Sequence, residues 1–256
     1  MAVTLDDLKK IQAKSIRKAP TTTALNEKDI RVVRKLTQQE AEEQDRKYEA
    51  REREQAVLHK ARAFKALEAM VGERYSRERA SLAAFACQHK GQRQTVSKVL
   101  QLAEQAEALS KEGRGITWYG PTGTGKDHLA IAWMYLALEA LDVTALWVHC
   151  ESLFEQFRGV IKKESATAEA ELVAKYAAPD ILCLSDPLPF AGELTDWQVR
   201  ALGRIGTARS HSMKMTLCTV NCANLEEAEK RLTPPVFRRL MNDAELIPCF
   251  WPCHRR

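Results

Sequence analysis

The sequence lacks any apolar run near the length that a helix needs to cross a bilayer, about 18 residues. The segment MAVTLDDLKK at its start also lacks the apolar stretch that follows the charges of a secretion signal. We therefore expect a cytoplasmic protein that makes no membrane contact.

A disulfide framework is also missing. The seven cysteines are odd in number and scattered, and most lie in apolar runs such as ILCL and TLCTV. A structural zinc site needs a second close pair of ligands, which Cys249 and Cys253 beside His254 do not have. The cysteines are thus predicted to be reduced residues of a core.

Neither sign of charge dominates the chain. The formal net charge is +5, which is compatible with an anionic partner but does not identify one. Of the 256 residues, 45% are hydrophobic and 29% are charged. Such a chain can bury one ordinary core and still carry a charged extension.

Glycine and proline are absent from residues 24–70, where charges of both signs alternate, as in EAEEQDRKYEAREREQ. Strong helix formers dominate this segment, which predicts a long solvated helix of the kind found in coiled coils. An apolar face develops only late in the segment, and such a face packs either on its own chain or on a partner. This apolar face consists of Val57, Ala61, Phe64, Leu67 and Met70.

We divide the chain into a charged helical, partner-binding arm (1–73) and a folded domain (74–256).

Short apolar runs alternate with helical stretches after residue 74, which predicts an α/β fold with a parallel sheet sandwiched by helices. The predicted strands are Ile116–Tyr119, Thr144–His149, Ile181–Leu184, Met215–Val220 and Glu245–Phe250. The predicted helices are Gln92–Ser110, Lys126–Ala140, Glu151–Ile161, Thr167–Tyr176, Asp196–Arg209 and Glu226–Arg231.

The segment GPTGTGKD follows the first predicted strand and opens a helix. Its G-x-x-x-x-G-K pattern lets backbone N–H groups surround phosphates, while Lys126 reaches the β and γ phosphates of ATP. The pattern alone could be a glycine-rich turn, and the strand-loop-helix context favours the phosphate loop. At the position of the usual magnesium-binding Ser or Thr stands Asp127, whose carboxylate can also hold a cation. The predicted nucleotide contacts are Gly120, Pro121, Thr122, Gly123, Thr124, Gly125, Lys126, Asp127 and His128.

A second strand, ILCL, ends at Ser185 and Asp186. A phosphate-loop ATPase places acids at such a strand end to hold magnesium and to orient the attacking water. Here Ser185 stands at the metal-acid position and Asp186 at the catalytic-acid position. We therefore predict Mg²⁺ ligation by Asp127 and Asp186, with catalysis by Asp186, although an Asp-Pro pair is also an ordinary turn.

These motifs resemble the DnaC/IstB branch of AAA+ ATPases, with GTGKDHLA similar to the family's GTGK-x-HLA. The likeness covers about residues 74–256 and implies an AAA+ (ASCE-type) five-stranded sheet. It also implies three further catalytic residues. They are Asn221 as a polar sensor, Arg239 as an arginine finger acting in trans, and Arg255 as a second sensor.

A contact with single-stranded DNA is expected after the second strand, by likeness to related initiator ATPases. The basic side chains in that segment could pair with DNA phosphates. They are Arg158, Lys162 and Lys163. The neighbouring aromatic residues are expected to pack on the sheet.

The resemblance implies an ATPase that forms a homo-oligomer with ATP and controls the loading of a replicative helicase on single-stranded DNA. Hydrolysis is expected to be weak, because Asp127 and Ser185 alter the magnesium and water positions. Two alternatives stay open: an IstB-like transposition helper whose partner is a transposase, and an adaptor that uses nucleotide as a switch.

Overall fold

The computed structural model describes residues 27–162, 165–189, 192–241 and 243–253, with side chains from residue 41 onward. The chain forms two compact units that divide between Glu54 and Gln55. The predicted boundary between residues 73 and 74 therefore falls inside the second unit. The partner-binding role of the arm stays a prediction.

Helix α1 (Glu27–Val71) extends over 45 residues. In the first unit its residues from 41 to 54 are all exposed. Lys47 pairs with Glu43, and Arg53 with Glu49, each one helical turn away. The helix was predicted from the alternating charges, which stabilise it through such pairs.

In the second unit, the last turns of α1 pack on the core. Phe64 stacks on Tyr135 with ring centroids 6.1 Å apart, and Leu67 is fully buried. The predicted apolar face was only partly right, because the helix contacts the core over its last turns alone. Three of its predicted members are exposed: Val57, Ala61 and Met70.

The described residues form one five-stranded sheet, as predicted. The strands are β1 (Ile116–Gly120), β2 (Ala145–His149), β3 (Ile181–Ser185), β4 (Met215–Asn221) and β5 (Glu245–Pro248). Their order is β2-β3-β4-β1-β5, and every neighbouring pair is parallel. The carboxyl ends of β1, β3 and β4 therefore meet at one edge.

Helices cover both faces of the sheet, which confirms the predicted sandwich. One core includes Trp118 of β1 and Trp133 of the following helix. The other includes Leu184 of β3 together with Phe154 and Leu202. The helices are α2 (Lys90–Glu104), α3 (Ala106–Glu112), α4 (Lys126–Ala140), α5 (Cys150–Ile161), α6 (Ala166–Ala177), α7 (Asp196–His211), α8 (Leu225–Leu232) and α9 (Pro234–Met241).

Three details differ from the expectations. The single helix predicted over 92–110 is two helices, because the backbone leaves the helical region at Gln105 without a glycine or proline to mark the break. Strand β5 ends at Pro248, before the predicted Phe250. Cys87 and Cys253 are not buried, whereas the other five cysteines are core residues. No helix in the described ranges is both long and apolar enough to cross a membrane.

A buried arginine stabilises the edge of the sheet at which the parallel strands begin, the amino-terminal edge. Arg209, at the end of α7, is 1% exposed and donates through Nε to Thr216 Oγ1 at 3.0 Å. Burial lowers the pKa of this guanidinium to about 10. Its other donors reach the backbone carbonyls of Tyr176, Ala177, Pro179, Asp180 and Met215.

Candidate nucleotide-binding site

The loop between β1 and α4 has the backbone that a phosphate cradle requires. Gly123 and Gly125 have φ angles of 77° and 87°, in the left-handed region that favours glycine. A Cβ at Gly125 would lie 2.7 Å from the ring of Phe85, and one at Gly123 would lie 2.1 Å from Cys253 Sγ. Both positions therefore need glycine for conformation and for space.

Two aromatic residues from distant parts of the chain support this loop. Trp251 donates through Nε1 to the carbonyl of Thr124 at 2.8 Å. Phe85 contacts the rings of Trp251 and His128 edge-on. His128 Nε2 lies 2.9 Å from the carbonyl of Ser81. The segment that precedes α2 thus contacts the His128 ring on the side of Ser81.

Lys126 begins α4 and is only 6% exposed. Its ammonium donates to the carbonyls of Gly120 at 2.9 Å and Pro121 at 2.7 Å. Burial lowers the pKa of Lys126, and the nearby acids partly offset that effect. The positive charge thus lies inside the loop, where a phosphate can reach it.

A cavity of about 550 Å³ opens beside the loop, large enough for a small ligand. Its walls bring together much of the predicted site, including Gly123, Lys126, Asp127, Asp186 and Asn221. Sequence reasoning missed seven of its lining residues: Arg74, Tyr75, Ala84, Phe85, Ala86, His149 and Thr219. For His149 and Thr219 a signal existed, since each lies at or near the carboxyl end of a parallel strand.

Asp127 lies in a cluster with two hydroxyl groups. Ser185 Oγ donates to Asp127 Oδ1 at 2.8 Å, and Thr219 Oγ1 donates to the same oxygen at 2.6 Å. Ser185 and Thr219 are register partners on β3 and β4, and both are buried. Asp127 itself is partly exposed to the cavity.

Asp186 follows β3 in a strained backbone conformation with φ 51°. Asn221 Nδ2 donates to its Oδ2 at 2.6 Å, so the predicted catalytic acid and polar sensor are in direct contact. Burial raises the pKa of Asp186, although Asn221 and His149 act in the opposite direction. Its Oδ1 is buried and has no hydrogen-bond partner among the described residues.

The oxygen donors of Asp127 and Asp186 suit Mg²⁺, a hard cation that prefers carboxylates. The described residues contain no group of three or more His, Cys, Asp or Glu side chains that could hold a metal. A cation here would therefore complete its ligands with nucleotide phosphates and water, as Mg²⁺ commonly does.

Three other predicted basic residues, Arg239, Arg158 and Lys162, do not line this cavity. Arg239 is exposed on α9 and contacts α7 beside Gly206. Arg158 and Lys162 are exposed at α5, with the Arg158 guanidinium 5.8 Å from the ring centroid of Trp197. The remaining two, Lys163 and Arg255, lie outside the described residues.

A parallel sheet of this order, with a glycine-rich loop between β1 and the following helix, is an AAA+ fold. No family model and no curated protein matches the sequence. Many solved structures are similar to the chain, and three of them are compared with it. A crystal structure of the DnaC helicase loader is 21% identical with a TM-score of 0.60, covering 70% of this chain and all of that one.

A crystal structure of DnaI is 21% identical with a TM-score of 0.56, and the match covers 73% of this chain and 95% of that one. AMPPCP-bound DnaA from Aquifex aeolicus is 19% identical with a TM-score of 0.54, over 70% of this chain and 50% of that one. The chain therefore has a DnaC-like AAA+ fold.

Proposed function

We propose that this chain binds ATP with Mg²⁺ and uses the bound nucleotide to control the loading of a replicative helicase on single-stranded DNA. One observation carries the nucleotide part: Lys126, Asp186 and Asn221 line one cavity beside a glycine loop at the carboxyl edge of the sheet. The loading part is supported by the likeness to a helicase loader, in fold alone.

The loop amides and the amino end of α4 bind the phosphates, with Lys126 contributing its charge. On nucleotide binding, the ammonium exchanges its contacts with the carbonyls of Gly120 and Pro121 for phosphate oxygens. Mg²⁺, held by Asp127 and Asp186, would neutralise charge on the β and γ phosphates. A nucleotide analogue bound to DnaA, a protein of similar fold, supports this site.

Asp186 and Asn221 orient the attacking water. The carboxylate accepts a proton from water, and the Asn221 amide holds the carboxylate at 2.6 Å. The raised pKa of Asp186 brings this group closer to neutral pH, which suits a general base. With Ser185 where an acid is usual, hydrolysis is expected to be slow.

Arg239 acts on the nucleotide of a neighbouring copy. Its side chain is exposed and does not line the cavity of its own chain, as a finger in trans requires. Arg238, also exposed on α9, offers a matched control. We expect Arg239→Ala, but not Arg238→Ala, to lower ATP-dependent oligomer formation and ATP turnover, measured by light scattering and phosphate release.

The charged arm (1–73) contacts the helicase, and the bases Arg158, Lys162 and Lys163 contact single-stranded DNA. Arg158 and Lys162 are exposed, which leaves room for a phosphate backbone beside them. A transposase replaces the helicase as partner in the alternative reading. Mixing the full chain and ATP with a replicative helicase or a transposase, followed by size-exclusion chromatography, distinguishes the two. Binding to neither would contradict both.

A nucleotide-switch adaptor is the second candidate function, favoured by Ser185 at the usual acid position. Phosphate release with and without single-stranded DNA separates it from an ATPase. Tight ATP binding without release in either condition supports the switch. Absence of any ATP binding overturns both proposals.

A further inference from the structure

Three side chains from separate elements meet at a single oxygen atom. Asp127 lies in the first turn of α4, Ser185 ends β3, and Thr219 lies beside Ser185 on β4. Both hydroxyl groups donate to Asp127 Oδ1, at 2.8 and 2.6 Å. Both bonds use Oδ1, and Asp127 lines the cavity, so the second carboxylate oxygen can serve as a cation ligand.

This cluster reverses the usual chemistry of a phosphate-loop site. There, a Ser or Thr hydroxyl after the loop lysine binds Mg²⁺, and an acid at the end of a neighbouring strand completes the cation site. Here the carboxylate follows Lys126 and the hydroxyl ends the strand, yet the two side chains remain in contact. The site therefore still contains one carboxylate and one hydroxyl in contact. The carboxylate is now on the helix that follows the loop, and the hydroxyl is now at the end of β3.

We propose that Asp127 is the anionic ligand of the cation and that Ser185 and Thr219 position it, so that the carboxylate and hydroxyl roles of the loop helix and β3 are exchanged. This inference rests on the proposed nucleotide site. It makes Asp127 the ligand that takes over the role of the usual strand-end acid, beside Asp186, which Asn221 holds and which also orients the attacking water.

The exchange has an electrostatic consequence for nucleotide binding. A carboxylate adjoining the phosphate loop opposes the phosphates when no cation is present. With a cation between them, the same charge becomes attractive. Nucleotide affinity should therefore depend on Mg²⁺ more strongly than it would with a hydroxyl at residue 127.

The test compares the affinity of the full chain for a non-hydrolysable ATP analogue in Mg²⁺ and in EDTA, by titration calorimetry. For the wild type we expect Mg²⁺ to strengthen binding by at least about tenfold, or about 1.4 kcal/mol. Asp127→Asn keeps the shape and the hydroxyl bonds but removes the charge. It should reduce the Mg²⁺ effect to less than about threefold, with binding in EDTA unchanged or tighter.

A double variant tests the exchange directly. Ser185→Asp alone places two carboxylates in contact and should weaken binding and lower the melting temperature. Asp127→Thr combined with Ser185→Asp restores the usual arrangement, and we expect it to recover the Mg²⁺ effect that Asp127→Thr alone loses. Asp243→Asn, at an exposed carboxylate outside the site, should behave as wild type.

Two results would overturn this inference while leaving nucleotide binding intact: a wild type that binds the analogue equally in Mg²⁺ and EDTA, or a folded Asp127→Asn that keeps the full Mg²⁺ effect. Failure of the wild type to bind the analogue in either condition would overturn the proposed function itself. Melting curves of every variant establish that each is folded.

Discussion

The two edges of the sheet both carry wholly or partly buried charged side chains, and Arg209 at one edge and Asp186 at the other differ in how far their hydrogen bonds are satisfied. At the amino-terminal edge, Arg209 donates to Thr216 and to several backbone carbonyls. At the carboxyl edge, Asp186 has a buried oxygen without a partner among the described residues, and it borders an open cavity. The hydrogen bonds of Arg209 stabilise the fold, whereas the carboxylate of Asp186 keeps an oxygen, unpaired within the described part of the chain, that a ligand could satisfy.

Two aspartates show the same contrast. Burial alone would raise the pKa of Asp180 at the amino-terminal edge, but hydrogen bonds from the amide and hydroxyl of Thr144 and the charge of Lys214 outweigh it and lower that pKa. At the other edge, burial raises the pKa of Asp186. One carboxylate is stabilised in its charged form, whereas the other is not.

The largest expected effect is on Arg209. Arg209→Met leaves several carbonyls unpaired at the amino-terminal edge, so we expect the free energy of unfolding to fall by about 3–5 kcal/mol. Urea unfolding measures this loss. Arg200→Met, at an exposed position of the same helix, should change it by less than about 0.5 kcal/mol. If the two substitutions lowered the free energy of unfolding equally, the hydrogen bonds of Arg209 would not be what stabilises the amino-terminal edge.

Lys126→Met should act on binding and hardly on stability. Loss of the ammonium is expected to weaken ATP binding by about 100-fold or more, which corresponds to about 2.7 kcal/mol. The free energy of unfolding should change by less than about 1 kcal/mol, since burial already disfavours this charge. Titration calorimetry and urea unfolding measure the two quantities. Lys111→Met, at an exposed lysine of α3, should leave ATP affinity unchanged.

Asp186→Asn should stabilise the protein while it removes turnover. The substitution eliminates a disfavoured charge, and asparagine tolerates the positive φ of this residue. We expect the melting temperature to rise by roughly 2–4 °C, the effect of about 1 kcal/mol in a domain of this size. Phosphate release should fall by about 100-fold or more. A drop in melting temperature would show that Asp186 is a structural residue.

The smallest expected effect is in the pH dependence of stability. Asp180 has a lowered pKa in the folded state, so its contribution is present above the ordinary value of 3.8 and is lost as the pH falls through the lowered value. Asp186 has a raised pKa, so stability falls as the pH rises from 3.8 through the raised value. Urea unfolding of Asp180→Asn and Asp186→Asn between about pH 3 and pH 7 should give differences from wild type with opposite slopes. Parallel slopes would contradict the assigned directions.

Local patterns were enough to predict the sheet and the glycine-rich loop between β1 and α4. The alternation of apolar runs and helices requires only neighbouring residues, and the glycines and Lys126 are contiguous with the strand and helix that present them. Asp186 and Asn221 were each predicted as site residues, whereas the hydrogen bond between them was not predicted. The apolar face of α1 was predicted less well, because periodicity does not indicate where a long helix leaves its core.

The Asp127 cluster shows what the sequence leaves open. Asp127 is 58 residues from Ser185 and 92 from Thr219 along the chain, and no local pattern joins them. Sequence reasoning treated Asp127 and Ser185 as two separate departures from a motif. The structure places them in one hydrogen-bonded pair.

The sequence alone determined the succession of strands and helices along the chain, the glycine-rich loop after the first strand and the acid after the third, since each depends on residues within one short segment. Only the tertiary structure decided which side chains share a cavity, how Arg209 closes the opposite edge, and that Asp127 accepts hydrogen bonds from two neighbouring strands. The physical reason is that these contacts depend on strand register and burial, which bring together residues from distant parts of the chain.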